Sequence, residues 1–302
     1  MADKPSAEFA IDEQLVRDLV MSQAGSRLPL SDPGELPLVH ADDGWDCSVW
    51  RLGSELAVRL PRRAAAAPLI EHEQRHLAAI AERLEPIGVP APVFAGTPSP
   101  RFPWPWSIVP WFAGSPGLSV PRSMRAGWAE PLARALVALH APAADGFPPN
   151  PFRGVPLAVR DATVRERLSD ASDMLPESRV EALRAFWEDG LAAEPWNDEP
   201  VWIHGDLHPG NLIAEGAELV AVIDFGDLTA GDPAYDLAAA WLVFDEPGRA
   251  AFIEATSGRY DTATWIRARA WAAAVALMLV LQSDDNPAYQ ALGSECVEAL
   301  CA

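Results

Sequence analysis

Asp206, Asn211 and Asp224 are oxygen-bearing side chains whose spacing suits phosphoryl transfer. His204-Gly205-Asp206-Leu207-His208-Pro209-Gly210-Asn211 fits H-x-D-x-x-x-x-N, and Asp224-Phe225-Gly226 begins thirteen residues after Asn211, directly behind an apolar run that ends at Ile223. Moving a phosphoryl group asks a protein for little covalent chemistry. It needs a carboxylate beside the attacking hydroxyl, with an amide and a second carboxylate to hold the magnesium ion that neutralises the phosphates. Asp206, Asn211 and Asp224 fill those roles in that order. Pro209 and Gly210 can turn the chain between the first two, and a β-hairpin would return the third to the same place.

Two other readings compete. Taken singly, carboxylates and histidines at strand ends are often plain turn residues or satisfied core and surface groups. The spacing H-x-D-x-H could also set His204, Asp206 and His208 on one strand face as the ligands of a metal hydrolase, which leaves Asn211 and the Asp224-Phe225-Gly226 triplet without a role.

The elements that must position these groups fall into two halves. Ile11, Leu15, Leu19 and Val20 predict a helix over 11–24, stopped by Gly25. Runs at 36–40, 48–52 and 56–60, separated by Asp42-Asp43-Gly44 and Gly53-Ser54, predict a three-strand meander. Leu69, Ile70, Leu77, Ile80 and Leu84 predict a helix over 68–84 with Pro68 at its start, and 92–95 and 106–112 add two strands. A proline-rich, tryptophan-bearing connector follows at 98–121. Beyond it, helices are expected at 126–140, 164–169, 177–192, 232–244 and 262–282, around a small β-island at 201–203 and 219–223.

The strongest stretch, 202–241, resembles the aminoglycoside phosphotransferase family, small-molecule kinases with the protein-kinase-like fold, and the resemblance runs from about Leu36 to Trp271. Ile203 to Asn211 looks like that family's catalytic loop, Ile223-Asp224-Phe225-Gly226-Asp227 like its metal loop, and Gly231 to Ala238 like the helix start that follows. The resemblance implies an α+β, bilobal fold: an N-lobe over 1–110 with a small antiparallel sheet and one helix, and a larger, mainly helical C-lobe over 111–302. It implies that Asp206 positions the acceptor hydroxyl and accepts its proton, that Asn211 and Asp224 bind Mg²⁺, and that Asp236 hydrogen-bonds back to the catalytic loop. ATP or GTP would be the phosphate donor.

The N-terminal half departs from the usual kinase pattern twice. It has no G-x-G-x-x-G, so the turn Asp43-Gly44-Trp45-Asp46-Cys47-Ser48 leaves phosphate contacts to Gly44 and to the backbone or hydroxyl of Ser48. The strand expected to carry a lysine reads Leu56-Ala57-Val58-Arg59-Leu60, with Arg59 in its place; Lys4 is the chain's only lysine. A guanidinium binds phosphate and carboxylate through forked hydrogen bonds, with a different reach. Its expected partner is Glu73, with Glu71 second. Ile108 to Gly114 resembles the interlobe hinge, where backbone groups around Val109 and Trp111 would meet the purine; Pro110 has no N–H to offer.

A formal charge of −20, from 23 Lys+Arg against 43 Asp+Glu, argues against a nucleic-acid or anionic-membrane partner. Cys47, Cys296 and Cys301 form no disulfide framework or zinc motif, and the first ten residues contain no apolar signal segment, so a reducing cytoplasm is the expected location. The apolar run 270–281 is expected to be a buried C-terminal helix, with Trp241, Trp265 and Trp271 mainly in the core. Asp161, Glu166, Asp227, Asp232, Asp245 and Glu246 would attract a cationic, polyhydroxylated acceptor. The expected activity is therefore transfer of a γ-phosphate to a small molecule such as an aminoglycoside or another antibiotic, and with it antibiotic resistance. A metabolic kinase of the choline or amino-sugar type, a nucleotide-binding pseudokinase and an acidic scaffold without ligand are the alternatives.

Overall fold

The computed structural model describes residues 5–28, 34–143, 146–283 and 286–302. In it the chain forms two units, one ending at Ala113 and one running from Gly114 to Ala302.

In the first unit, Asp12 caps α1 (Glu13–Leu19) by accepting a hydrogen bond from Leu15 N at 2.8 Å, and the helix runs on as a π-helical turn over Val20–Ala24. The expected single helix is therefore an α-helix of two turns followed by a wider one. Strands β1 (Leu38–Asp43), β2 (Cys47–Leu52), β3 (Leu56–Pro61), β4 (Phe94–Gly96) and β5 (Trp106–Pro110) form one antiparallel sheet in the order β1-β2-β3-β5-β4. Side chains alternate across a strand. Trp50 and Leu52, Val58 and Leu60, and Trp106 and Ile108 thus share one face and bury against Val16, Leu19 and Val20 of the N-terminal helix and its extension. Arg59 and Ser107, opposite each other in the β3–β5 register, belong to the other face. That face meets α2 (Ala67–Leu84): Gln74 donates to Trp106 O at 2.8 Å and Ser107 Oγ at 3.1 Å, while Ile70, Glu73, Leu77, Ile80 and Leu84 are buried.

The second unit contains β6 (Ser115–Pro116), α3 (Ala129–Leu139), α4 (Leu157–Asp170), α5 (Glu177–Ala192), β7 (Val201–Ile203), β8 (Leu212–Glu215), β9 (Glu218–Val222) and β10 (Thr229–Gly231). It continues through α6 (Ala234–Leu237), α7 (Ala239–Leu242), α8 (Glu246–Ala255), α9 (Thr262–Gln282) and α10 (Pro287–Cys301). Helix α9 is the one described helix long and apolar enough to cross a membrane. Most of it is buried against α4, α5, α6 and α10, with Trp271 stacked edge-on to Trp187, as expected of the central helix of a packed bundle.

Three expectations change here. The helix expected over 232–244 is two short helices, α6 and α7. That expected over 164–169 is the fourteen-residue α4, whose buried residues, Leu157, Val164 and Leu168, are too few to mark it by periodicity. Helices α8 and α10 were not anticipated; both carry proline in the first turn, where the missing N–H costs nothing.

Candidate active site

Two small β-structures assemble the site. Strand β7 is buried along its whole length and pairs antiparallel with β10, Ile203 opposite Thr229, so the chain leaving β7 at His204 runs beside the chain entering β10 from Asp227. Gly205 makes this approach possible: its φ is +83°, and a Cβ there would collide with the Asp227 carbonyl. The β8–β9 hairpin then returns Asp224 to Asn211, with Leu212 opposite Val222 and Ile223 N bonded to Asn211 O at 2.9 Å.

The segment that leads from β7 to Asp206 is held by a buried carboxylate. Asp236 accepts hydrogen bonds from His204 N at 2.7 Å and Gly205 N at 3.0 Å, and from His140 Nε2 at 3.2 Å. Burial alone would push this carboxyl up, but the His140 bond and the neighbouring donors outweigh it and hold it below the ordinary range. His140 is itself fixed by Tyr260, whose hydroxyl lies 2.7 Å from Nδ1. Asp236 therefore makes the contact that the family resemblance implied.

His204 spends both ring nitrogens on backbone: Nδ1 accepts from Asp206 N at 3.1 Å and Nε2 donates to Ile223 O at 2.9 Å. It ties the Asp206 segment to the Asp224 segment and cannot also ligate a metal. Among the described residues, no group of three His, Cys, Asp or Glu side chains could hold an ion. The hydrolase reading thus loses its ligand set.

Asn211 Nδ2 donates to Asp206 O at 2.8 Å and to Asp206 Oδ2 at 3.3 Å. Its amide nitrogen is thereby assigned to the carboxylate, leaving Oδ1 as its oxygen donor for a cation. Asp224 is exposed and sits at φ +60°, a left-handed conformation that costs a non-glycine residue roughly 1–3 kcal/mol, while the adjacent Phe225 is fully buried against the His204 ring. Asn211 and Asp224 offer hard oxygen ligands of the kind Mg²⁺ takes alongside phosphate and water, so the residues present fit that ion.

Asp206 is one-third exposed. Burial raises its pKa, but His208, with Nε2 3.5 Å from Oδ2, and Arg153, with Nη2 3.4 Å from Oδ1, outweigh burial and hold the carboxyl well below the usual carboxylate range. Arg153 was invisible in the sequence. Its guanidinium also bonds Asp227 Oδ2 at 3.0 Å and the Tyr235 hydroxyl, and the neighbouring Asn150 donates to Asp227 Oδ1 at 2.9 Å. Burial is the main reason the Tyr235 phenol is pushed up to about 12, with Asp206 and Asp227 adding to it.

In the unit ending at Ala113, Arg59 Nη1 meets Glu73 Oε2 at 2.6 Å, with Glu73 fully buried and Glu71 exposed on the helix surface. Gly44 N bonds Cys47 O at 2.8 Å in the β1–β2 turn, where a Cβ would make only ordinary contact, so the turn does not demand glycine. Ser48 is buried, and its hydroxyl accepts the Trp50 indole N–H at 3.0 Å. Val109 is buried in β5 opposite Ala57, and Trp111 N donates to Glu55 O at 2.7 Å. The hydroxyl of Ser48 and the N–H of Trp111 thus already have partners within the unit.

A buried carboxylate thus anchors a loop that carries Asp206 and Asn211, and a hairpin returns Asp224 beside it, on an α+β scaffold. The chain belongs to the phosphotransferase enzyme family, whose model matches residues 38–271. It is 30% identical over 108 residues to an aminoglycoside 3′-phosphotransferase of Escherichia coli; the match spans 36% of this chain and 40% of that relative. The fold is shared with aminoglycoside 2′-phosphotransferase-IIIa in its GDP complex, at 16% identity and a TM-score of 0.68, covering 96% of this chain and 98% of the other. It is shared also with a macrolide 2′-phosphotransferase of Brachybacterium faecium, at 24% identity and a TM-score of 0.61, covering 95% and 98%.

Proposed function

We propose that this protein transfers the γ-phosphate of ATP or GTP to a hydroxyl of a small molecule. The observation that carries the proposal is the convergence of Asp206, Asn211 and Asp224 through one loop and one hairpin. Asp206, ionised and oriented by its neighbours, accepts a hydrogen bond from the acceptor hydroxyl and takes its proton as the oxygen attacks phosphorus and the bond to the nucleoside diphosphate breaks. Asn211 and Asp224 would hold Mg²⁺, which when bound neutralises phosphate charge. Arg59, fixed by Glu73, is the proposed phosphate-binding cation in place of a lysine. Gly44 and the backbone at Ser48 would contribute amide contacts to phosphate. The segment Val109–Trp111 would border the purine, its donor coming from a neighbour of Trp111.

The acceptor classes named for relatives and structural neighbours, aminoglycosides and macrolides, make an antibiotic the proposed acceptor, with resistance as the outcome and the nucleotide-rich cytoplasm as the setting. Arg59 in place of lysine also motivates the pseudokinase alternative, against which stand the intact Arg59–Glu73 pair and all three site residues.

The test is phosphate transfer from MgATP and MgGTP to a panel of aminoglycosides, macrolides, choline and amino sugars, with and without a chelator. Transfer that disappears in Asp206→Ala, while nucleotide affinity stays within about threefold, is the expected result. Full activity in Asp206→Ala, or nucleotide binding without turnover on any acceptor or on water, would overturn the proposal.

A further inference from the structure

Each oxygen of the Asp206 carboxylate has a donor against it. Oδ2 faces Asn211 Nδ2 and His208 Nε2, both supplied by the same loop, whereas Oδ1 faces Arg153 Nη2, from a residue 53 positions earlier in the chain. Arg153 does not reach Asp206 on a free side chain. Its Nε and Nη2 lie 3.0 Å from Asp227 Oδ2, its Nη1 bonds the Tyr235 hydroxyl, and its guanidinium carbon stands 5.4 Å from the centre of the Tyr235 ring. The backbone carrying it is tied down as well: Asn150 Oδ1 accepts from Phe152 N and Arg153 N, Gly154 O accepts from Asp232 N at 3.1 Å, and Pro148 O accepts from Thr229 Oγ1 at 2.6 Å. A planar fork locked on three sides can orient a carboxylate without following it. The contact to Asp206, at 3.4 Å, is also the loosest of the three, which leaves Oδ1 able to accept an acceptor hydroxyl.

We infer that Arg153 is a positioning residue for the reaction: through Asp227 and Tyr235 it fixes the rotamer of Asp206, so that the base meets the acceptor oxygen in a reactive orientation. This rests on the phosphotransferase reading of the site and adds to it a residue that lies outside both sequence motifs. A group acting by orientation affects the rate of the chemical step more than substrate binding.

The experiment measures hydrolysis of MgATP and MgGTP with water as acceptor, and transfer to any active member of the acceptor panel, in the full-length protein. Arg153→Met should lower kcat about 10- to 100-fold, with the nucleotide KM and the melting temperature near those of the wild type. Arg153→Lys, which keeps the charge, should recover part of that loss. Asp227→Asn should lower kcat in the same direction, and combining it with Arg153→Met should add little. Should Arg153→Met fail to fold, the Lys and Asn variants carry the same comparison. Wild-type kcat in Arg153→Met or Asp227→Asn, a loss confined to KM, or no recovery in Arg153→Lys would overturn the inference. Asp206→Ala is assayed alongside. Full activity there removes the phosphotransferase reading and this inference with it, whereas an inactive Asp206→Ala beside a fully active Arg153→Met removes this inference alone.

Discussion

Asp236→Asn exchanges one oxygen of a fully buried carboxylate for an amide nitrogen, at a place where every neighbour is a donor. Oδ2 accepts from His204 N and His140 Nε2 and Oδ1 from Gly205 N, so whichever way the new amide lies its NH₂ faces at least one backbone N–H that it cannot satisfy. One unmet buried donor costs about 1–3 kcal/mol, and turning charge-assisted bonds into neutral ones removes roughly 1 kcal/mol from each of the others, for a total of about 3–5 kcal/mol. Domains are stable by only about 5–15 kcal/mol, and for a unit of this size each kcal/mol shifts Tm by roughly 2–4 °C, so a drop on the order of 10 °C is expected. The assay is thermal unfolding followed by circular dichroism across a pH series. Because the folded-state pKa of Asp236 lies below its ordinary 3.8, its contribution is complete above that pH and is lost as the pH falls further. The gap between wild type and variant should therefore be widest near neutrality and close in acid, below about pH 4. A variant melting within 2 °C of the wild type at pH 7, or a gap that grows in acid, would refute the reasoning.

Two further outcomes follow from arginines paired with buried carboxylates. Arg59→Lys should keep the nucleotide KM within about tenfold of the wild type, whereas Arg59→Ala should raise it further and destabilise the protein by removing the cation bonded to the fully buried Glu73; if neither changes affinity or rate, Arg59 does not hold phosphates. Arg267, almost fully buried, bonds Asp232 through Nε at 2.7 Å and Nη2 at 3.2 Å, so Arg267→Met should cost about 3–5 kcal/mol in urea unfolding, with a cost below 1 kcal/mol counting against the pair as a fold-defining contact.

The sequence made the catalytic segment readable because its residues lie within a few positions of one another, and the hairpin that returns Asp224 is announced by two short apolar runs. The first unit was legible for a similar reason: alternation in β2, β3 and β5 assigns Arg59 to the face opposite Val58 and Leu60, and the helical spacing of Ile70, Leu77 and Ile80 puts Glu73 on the buried side of α2. Arg153 could not be read in this way. It lies in an irregular proline- and glycine-bearing stretch with no periodicity, and its partners come from β10's approach to β7 and from α6, long-range contacts that no local pattern encodes. Helix α10 was missed for a local reason, since Asn286-Pro287 looks as much like a loop as like a first helical turn. The hydroxyl of Ser48 was nominated for phosphate from its place in the turn, but burial and the Trp50 bond follow from strand register, which the turn alone does not reveal.

The carboxylates that suggested a cationic acceptor look different once their partners are known. Asp232 is buried on Arg267, Asp227 is held by Arg153 and Asn150, Asp161 accepts from the Trp187 indole and pairs with Arg165, and Asp245 caps α8 through Gly248 N. Four of the six carboxylates therefore have a structural task within their own unit, and three of those tasks already use an arginine as counter-charge. A net charge of −20 sets a long-range field that concentrates cations near the protein, but salt screens such a field over about 8–10 Å and it does not choose a hydroxyl. Acceptor choice has to come from groups within hydrogen-bonding reach of Asp206, where the permanent charge is the guanidinium of Arg153. Acceptors of both charge classes therefore belong in the panel on equal terms, ranked by kcat/KM, because that guanidinium is already shared between Asp206 and Asp227 and the acidic field acts only at long range, so neither decides the acceptor's charge.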